Sequence, residues 1–283
     1  MFRARLITTL VSIALVLGLV YARVSILAFL LVAVIGLLAQ WEFYCLQESK
    51  GLDVYKKFGV VMGGIYFSLF YLKLIRGDDQ MLWETIETIS IVLVPLALLI
   101  RSVFESSPKT PVATVALTFF GFFYVPYCFN FVSKIIYIGA ATPAAGVVMA
   151  LYVVAVTKST DIGAYLTGSW IGKHPMSPGI SPKKTWEGFS GGILFGLGIS
   201  LVMVACFKES LAELRWGHAI ALGVLLPLIS VIGDLAESRI KRDAESKDSG
   251  GMLPGIGGGL DLIDSLLFTA PVFYLYLTWI QLS

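Results

Sequence analysis

The sequence predicts an all-α, polytopic integral membrane protein, on three observations. Its 283 residues are 57% hydrophobic and only 14% charged, with a mean hydropathy of +0.83, whereas a soluble domain carries roughly a quarter charged residues. Nine apolar runs recur along the chain, of about the 20-residue length that a helix needs to cross the hydrocarbon core. The basic residues fall mainly between alternate pairs of those runs, as the positive-inside rule requires. The net charge of +2 is too small to suggest a nucleic-acid partner. Cys45, Cys128 and Cys206 lie scattered in or beside apolar runs and read as small packing residues rather than a disulfide framework.

In order, the predicted spans are Leu6–Ala22, Val24–Tyr44, Phe58–Ile75, Ile86–Val103, Val112–Val132, Ile135–Val156, Gly188–Phe207, His218–Gly233 and Leu262–Leu282. Very short turns join the first pair and the fifth and sixth. Arg3 and Arg5 precede the first run, but it is long, no small-residue cleavage site ends it, and a second run follows at once. It is therefore expected to be a retained helix rather than a cleaved signal. With the N-terminus cytoplasmic, fifteen of the 21 Lys and Arg fall inside and six outside. No repeat and no low-complexity linker divides the chain. It reads as one continuous membrane domain, with scaffold helices over 1–134 and a catalytic region over 135–283 whose cytoplasmic loops are 157–187 and 234–261.

The N-terminal half offers little chemistry. Glu42, Pro95 and Pro126 within apolar runs are expected to be packing, interface or kink features. Trp41, Trp83, Tyr124 and Tyr127 suit the aromatic belts at membrane interfaces.

The two polar loops carry the candidate site. In the first, Asp161 stands at the mouth of the sixth span, and Gly163 and Gly168 would let another chain or a ligand come close. Ser181-Pro-Lys-Lys-Thr185 sets Lys183 and Lys184 between hydroxyls. That suits a polyphosphate clamp, or a basic patch facing anionic headgroups. His174 and His218 lack metal-ligand partners at useful spacing. In the second loop, the bases Arg239, Lys241, Arg242 and Lys247 mingle with the acids Asp234, Glu237, Asp243, Glu245, Asp248, Asp261 and Asp264. Asp234 and Glu237 are three apart at the end of one span, and Asp261 and Asp264 three apart at the start of the next, so in helices each pair faces one way. Their convergence would make the oxygen-lined cage that Mg²⁺ prefers when it also holds phosphates. Simple helix capping is the alternative for Asp261 and Asp264. The run Pro254 to Gly259 can offer backbone N–H groups to phosphate, but it matches neither a P-loop nor a dinucleotide fingerprint.

The tail Gly233-Asp-Leu-Ala-Glu-Ser238, Ile240-Lys-Arg242, Lys247-Asp248, Leu253-Pro-Gly255, Gly257-Gly258, Asp261 and Ile263-Asp-Ser265 closely resembles the signature of the phosphatidate cytidylyltransferases, or CDP-diacylglycerol synthases. Asp161-Ile-Gly-Ala-Tyr165, Gly172-Lys173 and Ser181-Pro-Lys-Lys-Thr-Trp-Glu-Gly188 look like the same family's upstream blocks. The resemblance is specific over about residues 157–270 and only hydropathic before that. Two positions depart from it: Ile256 stands where the family usually has His, and Leu262 where it usually has Arg.

The resemblance implies transfer of CMP from CTP to phosphatidic acid, giving CDP-diacylglycerol and pyrophosphate. It implies an active site on the cytoplasmic face of the inner membrane, with the acyl chains entering from the inner leaflet between helices. On this reading Asp234 and Asp261 chiefly hold Mg²⁺, with Asp248 and Asp264 beside them. Lys183, Lys184, Lys241, Arg242 and Lys247 hold phosphates of CTP or of the lipid. Asp161 orients one of those bases or a second cation. Ser181, Thr185, Gly257 and Gly258 line the phosphate path. Asp234, Lys241, Lys247, Asp248 and Asp261 are the residues expected to carry catalysis. Membrane enzymes of this size are commonly homodimers, and no motif here specifies one. An Asp-Gly-x-x-Ala-Arg pattern, expected of a CDP-alcohol phosphotransferase, is missing, and the charges crowd one side without the repeated halves common in transporters.

Overall fold

The structure, a computed structural model, describes residues 25–76, 80–105, 108–138, 143–246, 249–250 and 258–282. The first predicted span, 6–22, lies outside them. The described elements are α1 (Ser25–Ser49), α2 (Lys56–Arg76), α3 (Gln80–Phe104), α4 (Pro111–Phe122), a π-helical turn (Phe123–Tyr127), α5 (Phe131–Ile138) and α6 (Pro143–Ile171). A small antiparallel hairpin of β1 (Pro175–Ser177) and β2 (Ser181–Thr185) follows. Then come α7 (Trp186–Cys206), α8 (Trp216–Asp243), the short α9 (Gly259–Ile263) and α10 (Leu266–Leu282). The protein is an all-α polytopic membrane protein. Among the described residues, seven helical stretches are long and apolar enough to span: Ile26–Ser49, Thr85–Phe104, Pro111–Tyr137, Ala145–Ile171, Trp186–Cys206, Trp216–Asp243 and Gly259–Ile280.

Three predicted boundaries move. The loop expected from residue 157 is helical to Ile171, which places Asp161 within α6 rather than in a loop. Polar side chains there do not break the helix, because Ser159 and Thr160 return their hydroxyl hydrogens to the Val156 carbonyl, each at 2.8 Å. Thr157 reaches Thr269 of α10 at 2.9 Å. The loop expected from residue 234 is likewise helical to Asp243. The break expected near residue 133 is also absent, and the chain stays helical through Ile138. Lys134 is buried in that stretch, paired with Glu87 of α3 and 3.7 Å above the Phe131 ring. Its charge is thus met by a carboxylate and an aromatic face. Pro126 sits inside the π turn, where a residue without an N–H fits a locally widened ladder.

Two kinds of contact hold the bundle. In the N-terminal half, buried polar groups tie helices together: Gln40 donates to the Gly59 carbonyl at 2.9 Å and to Tyr44 Oη at 3.0 Å, and Tyr44 donates to the Thr118 carbonyl at 2.7 Å. These bonds join α1, α2 and α4. In the C-terminal half, small residues let helices approach closely, as membrane helices do in the absence of a hydrophobic drive between them. Gly191 of α7 faces Thr167 of α6 so tightly that a Cβ there would lie 2.0 Å from Thr167 Oγ1. Ser200 of α7 crosses to both neighbours, sharing a 2.6 Å hydrogen bond with Tyr152 and donating to the Ala219 carbonyl at 2.6 Å. The larger buried apolar cluster joins both halves, from Ala28 and Phe43 to Tyr152, Leu226 and Phe273.

This packing makes a contrast within one helix. Gly191→Leu forces α6 and α7 apart, at an overpacking cost of about 1–3 kcal/mol, and lowers the thermal midpoint of the detergent-solubilised protein. Gly198 on the same helix has open space around it. Gly198→Ala leaves the midpoint unchanged or slightly raised.

Candidate active site

The site forms where the C-terminal part of α8 meets the α9–α10 corner and the β-hairpin. On α8, Asp234, Glu237 and Lys241 follow one another by three and four residues, so they share a helix face. Gly233 lets that face come close: a Cβ on it would lie 3.1 Å from the Asp264 carbonyl oxygen, from Ser265 Cα and from a Phe268 ring carbon. Helix α9 is only five residues long, and the chain turns at Asp264 and Ser265 before α10 begins. That turn buries the Asp264 side chain, whose Oδ1 accepts the Ser265 N–H at 2.6 Å.

Asp234, Glu237 and Asp264 each bring a carboxylate oxygen within 4.8 Å of the others. Glu237 is fully buried and Asp264 nearly so. Three carboxylates this close in a low-dielectric setting repel one another unless positive charge stands among them. Two lysines supply part of it. Lys241 Nζ lies 2.5 Å from Glu237 Oε2 and 2.8 Å from Asp261 Oδ1. Lys184 Nζ, from β2, lies 2.7 Å from Asp234 Oδ2. An oxygen-only donor set of this kind fits a hard divalent cation such as Mg²⁺.

The predicted residues distribute as follows. Both aspartates of the second expected pair face α8: Asp264 joins Asp234 and Glu237, while Asp261 pairs with Lys241, hydrogen-bonds to Glu237 and accepts the Gly258 N–H at 2.9 Å and the Ser249 N–H at 3.4 Å. Asp264 itself keeps helical backbone, its N–H donating to the Leu260 carbonyl at 3.0 Å, so both aspartates stay on the side of the corner that meets α8. The sequence loops do converge, through Lys184 on Asp234 and through Arg242, whose Nε donates to the Ile180 carbonyl at 3.4 Å. Asp161 reaches the edge of the group from α6, 3.5 Å from Lys158 and within electrostatic reach of Asp234 and Lys184. Thr185 caps α7, its Oγ1 accepting the Gly188 N–H at 3.1 Å. Ser181 is half-buried and Lys183 exposed on the hairpin, and Gly258 is buried at the start of α9. Lys247, Asp248, Ile256 and Gly257 lie outside the described residues. Leu262 is half-buried against the apolar cluster.

Two residues stand in contacts the sequence reading did not foresee. Among the described residues, Glu237 lies in the acid group close enough to hold a cation, a role the sequence reading gave chiefly to Asp234 and Asp261. Glu42, expected to be a packing or interface residue, is buried at 2% exposure, and its Oε2 accepts the Leu260 N–H at 3.0 Å. The available signal was an acid inside an apolar run, which membrane interiors rarely tolerate without a purpose.

A family model described as Cytidylyltransferase family matches residues 3–280. The chain belongs to the cytidylyltransferase family. Among its relatives is the "Uncharacterized protein YnbB" of Escherichia coli (strain K12), 34% identical over 193 residues, which are 67% of this chain and 63% of that protein. The phosphatidate cytidylyltransferase of Mycobacterium tuberculosis (strain ATCC 25618 / H37Rv) is 37% identical over 172 residues, 61% of this chain and 50% of that protein. The phosphatidate cytidylyltransferase of Bacillus subtilis (strain 168) is 41% identical over 133 residues, 47% and 48% of the two chains. This cytidylyltransferase-family chain thus spans between about half and just under two thirds of the length of these relatives.

The geometry of the family member makes a stability prediction. Lys241→Met leaves the buried Glu237 and its neighbour Asp261 without their shared cation, which costs about 3–5 kcal/mol. A second change, Glu237→Gln, removes the orphaned charge and restores part of that loss. Thermal midpoints of the two single variants and the double variant measure the coupling. Strictly additive losses would contradict the pairing.

Proposed function

We propose that the protein transfers CMP from CTP to phosphatidic acid, forming CDP-diacylglycerol and releasing pyrophosphate. The observation that carries the reading is the close group of Asp234 with the buried Glu237 and Asp264, laced with Lys184 and Lys241, inside the segment whose motifs resemble the phosphatidate cytidylyltransferases. The names and 37–41% identities of the mycobacterial and Bacillus relatives support it.

The chemistry asks for what these residues offer. A phosphate oxygen of the lipid attacks the α-phosphorus of CTP. A new P–O bond forms there, the bond to the β-phosphate bridging oxygen breaks, and pyrophosphate leaves with that electron pair. The attacking phosphate is already anionic, so no strong general base is needed. Bringing two polyanions together and neutralising the leaving group is the harder task, and positioning and electrostatics perform it. Lys184 and Lys241 bring positive charge into the acid group, and Lys183, Arg242 and Lys247 are assigned to the phosphates around it. Asp234, Glu237 and Asp264 would hold Mg²⁺, with Asp261 and Asp248 at its margin and Asp161 toward the base cluster or a second cation. When bound, the cation supplies charge neutralisation at the triphosphate oxygens. Gly257 is assigned to the phosphate path, where Gly258 allows close approach rather than donating because its N–H is held by Asp261, and Ser181 offers a hydroxyl.

The lipid phosphate must stay at the membrane boundary where CTP is available. We therefore assign the site to the cytoplasmic face of the inner membrane, with the acyl chains lying between helices in the inner leaflet. Ile256 and Leu262, at positions where the resembled family usually carries His and Arg, make the lipid acceptor the feature most open to change.

Purified protein in detergent, given CTP, Mg²⁺ and phosphatidic acid with each omitted in turn, tests this reading. Pyrophosphate release that needs all three, matched by an equal amount of CDP-diacylglycerol, is the expected result. Asp234→Asn abolishes that turnover while leaving the thermal midpoint nearly unchanged. A folded protein that releases no pyrophosphate with phosphatidic acid or with other lipid phosphates would overturn the proposal.

A further inference from the structure

Glu42 belongs to α1, 218 positions before the residue it touches. Its carboxylate is buried, its Oε2 accepts the Leu260 N–H at 3.0 Å, and the Gly259 N–H is also directed at it. The first N–H groups of α9, like those of any helix, have no acceptor within it, so they need outside ones. Asp261 takes the Gly258 N–H, and Glu42 takes those that follow. The surrounding chain is shaped to admit this carboxylate. A Cβ on Gly250 would lie 2.7 Å from Glu42 Oε1, and one on Gly258 would lie 2.5 Å from Glu42 Oε2. A second link ties the same two regions, since Lys50 just after α1 lies 2.5 Å from Asp243 at the end of α8.

We propose that Glu42 is a positioning residue. It fixes the start of α9 so that Asp261 meets Lys241 and Asp264 meets Asp234 and Glu237, and it thereby sets the affinity of the acid group for its cation and for CTP. In this role Glu42 acts through α9 rather than on the substrate. This inference rests on reading the acid group as the nucleotide-transfer centre. A buried strut with no such role would lower stability when removed but leave the cation requirement of each folded molecule as it was.

Three variants separate the two roles. Glu42→Ala removes both acceptors. Glu42→Gln keeps one, but turns an amide N–H₂ toward a second backbone donor. Glu42→Asp withdraws the carboxylate by one methylene. The full chain is purified in detergent, and hydrogen–deuterium exchange is followed at residues 258–264 and, as a reference, at 186–206, with thermal midpoints alongside.

The expected result is faster exchange confined to 258–264, greatest in Glu42→Ala and intermediate in Glu42→Gln. In the same preparations, the Mg²⁺ concentration for half-maximal turnover and the KM for CTP rise by about 10–100-fold in Glu42→Ala, the range typical when a supporting partner of a metal ligand is lost. Wild-type exchange at 258–264 in any variant that folds, or a cation requirement unchanged per folded molecule, overturns the proposal, as does acceleration spread evenly over both segments. If Glu42→Ala does not fold, Glu42→Gln decides on the same readouts. If the wild-type protein makes no CDP-lipid, the proposed reaction fails by itself. The exchange comparison, which needs no turnover, still decides whether Glu42 holds α9.

Discussion

The site depends on one ion group: Lys241, half-buried, between the buried Glu237 and the half-buried Asp261. Helix α8 supplies the lysine and the glutamate, and α9 supplies the aspartate. The Glu237 charge alone would be costly at this depth, and Lys241, held also by Asp261, is what offsets it. With Glu237 and Lys241 on one face of α8, Asp234 is carried on that same face, and the corner after Asp261 delivers Asp264 to it. The carboxylate group is therefore less a collection of separate ligands than the product of two backbone segments locked by one ammonium.

The remainder of the fold brings those segments together. Glycine and serine seams press α6, α7 and α8 into close contact, which sets Asp161 and the hairpin lysine Lys184 beside α8. Helix α1 reaches the same place from the N-terminal half through Glu42 and Lys50. The scaffold and the chemistry are thus joined by hydrogen bonds and ion pairs across the bundle, in addition to apolar packing.

Much of this was legible in the sequence. Composition and run length gave the membrane class, and the spacing of Asp234 with Glu237 and of Asp261 with Asp264 marked where carboxylates would gather. Spacing put Asp261 and Asp264 on one face, as they are, but could not foresee that Lys241 stands beside Asp261, because that contact depends on how α8 meets α9. Hydropathy also placed helix ends where polarity begins, near residues 157 and 234. The helices run on because their hydroxyls bond back to the backbone and their charges find partners. Glu42 was visible as an acid in an apolar run, but its partner lies in α9, and no local pattern points across such a separation.

The central claim is that Asp234, Glu237 and Asp264 together hold the divalent cation that accompanies the nucleotide. Crystals of the protein grown with CTP and Mn²⁺, the latter in place of Mg²⁺, would locate that cation by its anomalous scattering. The account predicts a peak in contact with carboxylate oxygens of these three residues and adjoining the triphosphate. A bound triphosphate whose Mn²⁺ lies away from all three would contradict it.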